Sequence, residues 1–104
     1  MTYDSIFRAL ADPTRRAVLE HLARHPSSVS SMADQLPVSR PAVSQHLKVL
    51  SDAGLVNVRA EGTRRIYSVA PDKLQELRVW LDGMWDAALN AFAEAAEKES
   101  KDGH

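Results

Sequence analysis

Pro37-Val-Ser-Arg-Pro-Ala-Val-Ser-Gln-His-Leu-Lys-Val-Leu-Ser-Asp-Ala-Gly-Leu-Val56 is the stretch that decides the fold. The Ser39 hydroxyl can accept a hydrogen bond from the first turn of a helix, and Pro41 is tolerated there because first-turn N–H groups have no acceptor within the helix. Val43, Leu47 and Leu50 stand at i, i+4 and i+7 and make one apolar stripe. With roughly 100° of turn per residue, the opposite side carries Pro41, Ser44, Gln45 and Lys48, with Arg40 at its start and His46 on its flank. Gly54 supplies the left-handed turn that ends the helix. Residues 39–53 therefore read as an amphipathic helix with a compact polar face.

Upstream, Ile6, Phe7 and Leu10 share helical spacing over Tyr3–Leu10, and Asp12-Pro13 ends that helix and starts another. Asp12 is a good cap and Pro13 a good first residue, so the second helix runs through Val18, Leu19 and Leu22 to His25-Pro26. A short third helix follows from Ser30 or Ser31 to Leu36, with Met32, Ala33 and Leu36 inward, and Pro37 stops it. Downstream, Leu55–Ala60 and Thr63–Ala70 are rich in β-branched and aromatic residues around Glu61-Gly62, which reads as a hairpin tipped by Arg59, Thr63, Arg64 and Arg65. Pro71-Asp72 restarts a helix that keeps its apolar spacing from 72 to about 98.

With 104 residues and 44% hydrophobic content, there is room for one compact domain, 1–98, followed by a frayed tail, 99–104. The chain has no cysteine, hence no disulfide frame and no thiolate metal site. An acidic start and the lack of an apolar run of roughly 20 residues argue against export and a membrane partner, so a cytoplasmic protein is expected. The net charge of −1 hides a segregation: residues 36–70 carry +3 and residues 71–104 carry −4.

Two short helices joined by a tight turn, the second with a polar face, followed by a basic hairpin, predict a mainly α fold with a small β-hairpin. It is a winged helix-turn-helix of order α1-α2-α3-α4-β1-β2-α5. A helix fits the major groove of B-DNA, where short polar side chains reach base edges. Arg40 has the donor fork for guanine, Gln45 can pair with adenine, and Ser44 can serve a base or a phosphate, whereas Lys48 suits the backbone. His46 can contact DNA or pack on the neighbouring helix. The hairpin arginines suit phosphates or the minor groove. Double-stranded DNA is the expected partner.

Phe7-Arg-Ala-Leu-Ala-Asp-Pro-Thr-Arg-Arg16, Ser39-Arg-Pro-Ala-Val-Ser-Gln-His-Leu-Lys-Val-Leu50, Ala53-Gly-Leu-Val56 and Glu61-Gly-Thr-Arg-Arg65 resemble the ArsR family of winged-helix repressors over nearly the whole chain. The resemblance implies a homodimer that represses transcription from a palindromic operator. It puts Arg40, Pro41, Ser44 and Gln45 at base-facing positions and Arg64 and Arg65 in the wing. Pro37 stands where the family's turn more often has Gly, so a stiffer turn is expected. The metal-sensing branches of the family use cysteines beside the helix-turn-helix or Asp and His pairs on the last helix. Here Asp72, Asp82 and Asp86 have no imidazole near them in sequence, and the last helix has no His before His104. His21 and His25, at i, i+4, are two nitrogens and do not make a site on their own. No metal or other cofactor is expected.

The last helix carries Leu77, Trp80, Leu81, Met84, Trp85, Ala88, Leu89 and Phe92, more apolar surface than a small domain can cover. Pairing these with a second copy, together with Ile6, Phe7 and Leu10, is the economical solution, and it spaces two recognition helices about 34 Å apart, one turn of DNA. Two other readings of that stripe are a docking face for another protein and a pocket for an apolar effector at the dimer interface. A repressor governed only by its own abundance, with no effector, is also compatible. Catalysis finds no support, because the chain has no nucleophile with a nearby base and no phosphate-binding glycine loop. Ser39 and Ser44 near His46 are better read as a cap and a groove contact.

Overall fold

The computed structural model describes residues 3–102, and the side chains of residues 3–99. Its elements are α1 (Asp4–Ala11), α2 (Pro13–Arg24), α3 (Val29–Gln35), α4 (Arg40–Asp52), β1 (Val56–Glu61), β2 (Arg64–Val69) and α5 (Pro71–Asp102). This is the expected winged helix-turn-helix order, mainly helical with one hairpin. The chain forms two compact units, one up to Leu74 and one from Gln75. In the first, Ile6, Val18, Leu22, Met32, Val43, Leu47, Leu50 and Leu55 are fully buried. Each is worth roughly 1.5–3 kcal/mol of transfer free energy before chain entropy is set against it.

The junction of α1 and α2 shows why the Asp12-Pro-Thr-Arg-Arg16 run matters. The Asp12 carboxylate accepts from the N–H groups of Thr14 (2.8 Å) and Arg15 (3.1 Å), which caps α2. In the other direction, Arg15 donates to the carbonyls of Ala9 (2.6 Å) and Arg8 (3.3 Å), and Arg16 to those of Leu10 (2.6 Å) and Ala11 (3.3 Å). These are the last four carbonyls of α1, which a helix cannot satisfy internally. Two consecutive arginines of one helix thus close the end of the helix before it.

Three boundaries differ from the sequence reading. Helix α3 is capped by Ser28, whose Oγ accepts from Ser31 N–H at 3.2 Å, and not by Ser30 or Ser31. The reason is tertiary: Ser27 forms a β-bridge with Tyr67 (N–H···O distances 3.0 and 2.9 Å), which holds the chain extended until Ser28. The hairpin turns on Gly62-Thr63, one residue later than expected, because Glu61 pairs with Arg64. Only Gly62 has positive φ (64°), the pattern of a type II′ turn. Finally, α5 continues to Asp102 through the expected tail, since nothing between Glu97 and Asp102 breaks a helix; residues 103 and 104, with His104, lie outside the described residues.

The turn between α3 and α4 is held by Val38 N–H donating to the Leu36 carbonyl at 2.7 Å, a three-residue turn centred on Pro37, whose ring presets φ. Helix α4 ends as its sequence requires. Gly54 has φ 76°, Leu55 N–H reaches the Leu50 carbonyl (2.9 Å) and Gly54 N–H that of Ser51 (2.9 Å). That is a Schellman motif, with Leu50 and Leu55 both buried beside it.

Ile6 corrects the expected dimer surface. It is 1% exposed within a single chain and belongs to the core with Ala9, whereas Phe7 is 39% exposed. Neighbouring residues on a helix point about 100° apart, so the face that holds Ile6 inward turns Phe7 outward.

Candidate nucleic-acid interface

Helix α4 buries Val43, Leu47 and Leu50 and exposes Arg40, Pro41, Ser44, Gln45 and Lys48 on its other side. Ser39 caps it through Ala42 N–H at 3.3 Å and is itself exposed. Arg40, Ser44 and Gln45 make no side-chain hydrogen bond or ion pair among the described residues, so their donors and acceptors are free for another molecule. Lys48 lies 3.9 Å from Asp52, an exposed i,i+4 pair that costs little to exchange. His46 is half-buried, and its charge helps lower the Asp12 carboxyl below the ordinary value, although the Arg15 N–H donated to that carboxylate is the larger cause.

In the wing, Arg59 pairs with Glu61 at 3.3 Å, both side chains largely exposed. Thr63 and Arg65 are exposed at the tip. Arg64 is not free, since it donates to Ser28 Oγ at 3.2 Å and so ties the wing to the start of α3. The sequence held no local signal for this contact, because its partners are 36 residues apart. Arg15 and Arg16 were likewise legible only as part of a motif, with no role until α1 and α2 were seen together.

His21 Nε2 lies 3.2 Å from Ser27 Oγ, and the Ser27 hydroxyl donates to the His25 carbonyl at 2.9 Å. His21 Nε2 is thus already engaged within the fold by Ser27. Among the described residues, no group of three His, Asp or Glu side chains could hold a metal ion. Nor is any described helix long and apolar enough to cross a membrane.

In α5, Leu81 (51%), Met84 (55%), Trp85 (65%), Leu89 (47%) and Phe92 (74%) are exposed within a single chain, as is Ala88. Leu77 and Trp80 are half-buried, and so is Leu10 in α1.

A helix-turn-helix with a free polar face on its second helix and a basic hairpin beside it defines a winged-helix DNA-binding protein. Residues 10–59 match the model of a helix-turn-helix domain family. The chain is 52% identical over 99 residues to the HTH-type transcriptional regulator Rv2034 of Mycobacterium tuberculosis, covering 95% of this chain and 92% of that protein. It superposes with a TM-score of 0.76 and 36% identity on an ArsR-like transcriptional regulator from Rhodococcus, over 89% of this chain and 91% of the other. A further match, with a TM-score of 0.66 and 29% identity over 80% and 77% of the two chains, is the homodimeric winged helix-turn-helix DNA-binding domain Mb0332 of Mycobacterium bovis, described as a possible ArsR-family regulator. The chain belongs to the ArsR family of winged helix-turn-helix transcriptional regulators and is a DNA-binding regulator, not an enzyme.

Proposed function

We propose that the chain is a cytoplasmic homodimeric repressor that binds an inverted-repeat operator in double-stranded DNA. In this reading Arg40, Pro41, Ser44 and Gln45 face base edges, Ser39 and Lys48 meet the backbone, and Arg59, Thr63, Arg64 and Arg65 lie along phosphates beside the groove. The observation that carries it is the pairing of a free polar face on α4 with an unburied apolar helix in the same chain. Exposed Leu81, Met84, Trp85, Leu89 and Phe92 are costly in water and gain from a partner, and a second copy also supplies the second recognition helix. The homodimeric relative supports that choice. Phe7, which is exposed, and Leu10, which is half-buried, are further candidates for contact with the second copy, whereas Ile6 is buried in the core. A dimer seated across a promoter blocks the polymerase by occupancy alone, so repression needs no effector and the abundance of the chain can set it.

Selection from random duplex oligonucleotides tests the reading. Enrichment of an inverted repeat with half-sites one helical turn apart is the expected result. Binding without enrichment, or a monomer in sedimentation at micromolar concentration, would overturn it in favour of a protein-docking module.

A further inference from the structure

The wing and the start of α3 form an open cleft of about 290 Å³ lined by Ser28, Val29, Ser30, Thr63, Arg64, Arg65 and Tyr67. No acidic residue lines it. Ser28 is only 7% exposed, and its Oγ accepts from Ser31 N–H and from Arg64 Nη2, both at 3.2 Å. Two donors fill both lone pairs of that oxygen, yet the hydroxyl proton has no acceptor among the described residues. The cleft thus contains a buried hydroxyl polarised by a cation and with an unspent proton.

We infer that Ser28 is a positioning residue for DNA: it holds Arg64 over this cleft, which seats one phosphate of the DNA backbone. The inference rests on the DNA-binding reading above. Arg64 spends one of its five N–H donors on Ser28 and keeps the rest for a phosphate, to which its planar fork is suited. The Arg65 side chain makes no hydrogen bond or ion pair among the described residues and supplies the second charge. Without the tether, the long Arg64 side chain is not held over the cleft, and the phosphate contact is lost together with its counterion release. The Ser27–Tyr67 bridge fixes the cleft walls, so the tether acts on the side chain and not on the wing as a whole. Phosphate is common to all DNA, so the contribution is independent of sequence and sensitive to salt.

Ser28 also caps α3, so its two roles must be separated. Binding of the full chain to a random-sequence duplex, followed by fluorescence anisotropy across a salt series, reads the phosphate contact directly. Ser28→Ala and Arg64→Ala should each lower the slope of log affinity against log salt by about 0.9 per chain bound, and the double variant should lose no more than Arg64→Ala alone. Ser28→Thr, which keeps the hydroxyl, should restore the slope. Ser28→Asp keeps the cap but neutralises Arg64, so it should stay folded by circular dichroism and still lose the contact; it decides the matter if Ser28→Ala fails to fold. Wild-type slopes in folded Ser28→Asp or Ser28→Ala would overturn the role of Ser28 alone. Failure of the unmodified chain to bind any duplex would overturn the DNA reading and this inference with it.

Discussion

Replacing Arg15 with alanine should destabilise the protein by about 2 kcal/mol, and replacing Arg16 by only about 0.5. The difference follows from where their acceptors lie. Arg15 donates at 2.6 Å to the carbonyl of Ala9, a residue that is 0% exposed. Once the guanidinium is gone, that oxygen loses its partner beside a buried residue, and an unsatisfied buried acceptor costs roughly 1–3 kcal/mol. The second bond of Arg15, at 3.3 Å to the exposed Arg8, adds little. Arg16 serves Leu10 and Ala11, where the chain is half-buried and exposed, so solvent can take its place. For a domain of this size, 2 kcal/mol is a fall in melting temperature of roughly 10 °C. Arg15→Lys should recover less than half, because lysine has a methylene at the position from which Arg15 Nε donates to Ala9. Thermal and urea denaturation of the three variants at one chain concentration makes the measurement. A loss below 0.5 kcal/mol for Arg15→Ala, or an equal loss at both positions, would refute the argument from acceptor burial.

Arg40→Ala and Gln45→Ala should each weaken binding to the selected operator by about 1–3 kcal/mol and leave random-duplex binding nearly unchanged; equal losses on both DNAs would show that these side chains do not read bases. Trp85→Glu and Phe92→Glu should shift the chain to monomer in analytical ultracentrifugation, and a persistent dimer would move the interface elsewhere. Gly54→Ala should cost about 1–2 kcal/mol for its left-handed backbone, and more than Gly62→Ala, because a Cβ at 54 would come within 3.0 Å of the Lys73 side chain while none lies within 4 Å at 62; chemical denaturation ranks the two. The Asp12 carboxyl is held below its usual 3.8 by the N–H groups of Arg15 and Thr14 and by the charges of His46 and Arg15. Its ionised form therefore stabilises the fold above the unfolded value, and that contribution is lost as the pH falls through the lower native value. Asp12→Asn keeps the cap without the titration, so the gap in unfolding midpoint between neutral and acidic pH should narrow; an unchanged gap would assign the acid sensitivity to other carboxyls.

Much of the molecule was legible along the chain because its signals are local. Ser39 before Pro41, Asp12 before Pro13, the Val43, Leu47, Leu50 stripe and Gly54 all act within four residues of themselves, so their caps, buried faces and exit turns follow from order alone. The free face of Arg40, Ser44 and Gln45 is the complement of that stripe and came with it. Where several local choices were equal, the sequence could not decide. Local signals place the α3 cap on Ser30 or Ser31 and the turn at Glu61-Gly62, whereas the fold uses Ser28 and Gly62-Thr63, whose local chemistry is the same.

The chain by itself determined the element order, the polar face of the recognition helix, the basic hairpin and the family. Tertiary structure decided which serine caps α3, that Ile6 belongs to the core and Phe7 to the surface, that Arg15 and Arg16 close α1, and that Arg64 rests on Ser28. The first group depends on periodicity and capping, which act over a turn of helix. The second depends on which carbonyls and hydroxyls are brought together and shut off from water, and for Ser28 and Arg64 only folding brings residues 36 positions apart within 3.2 Å.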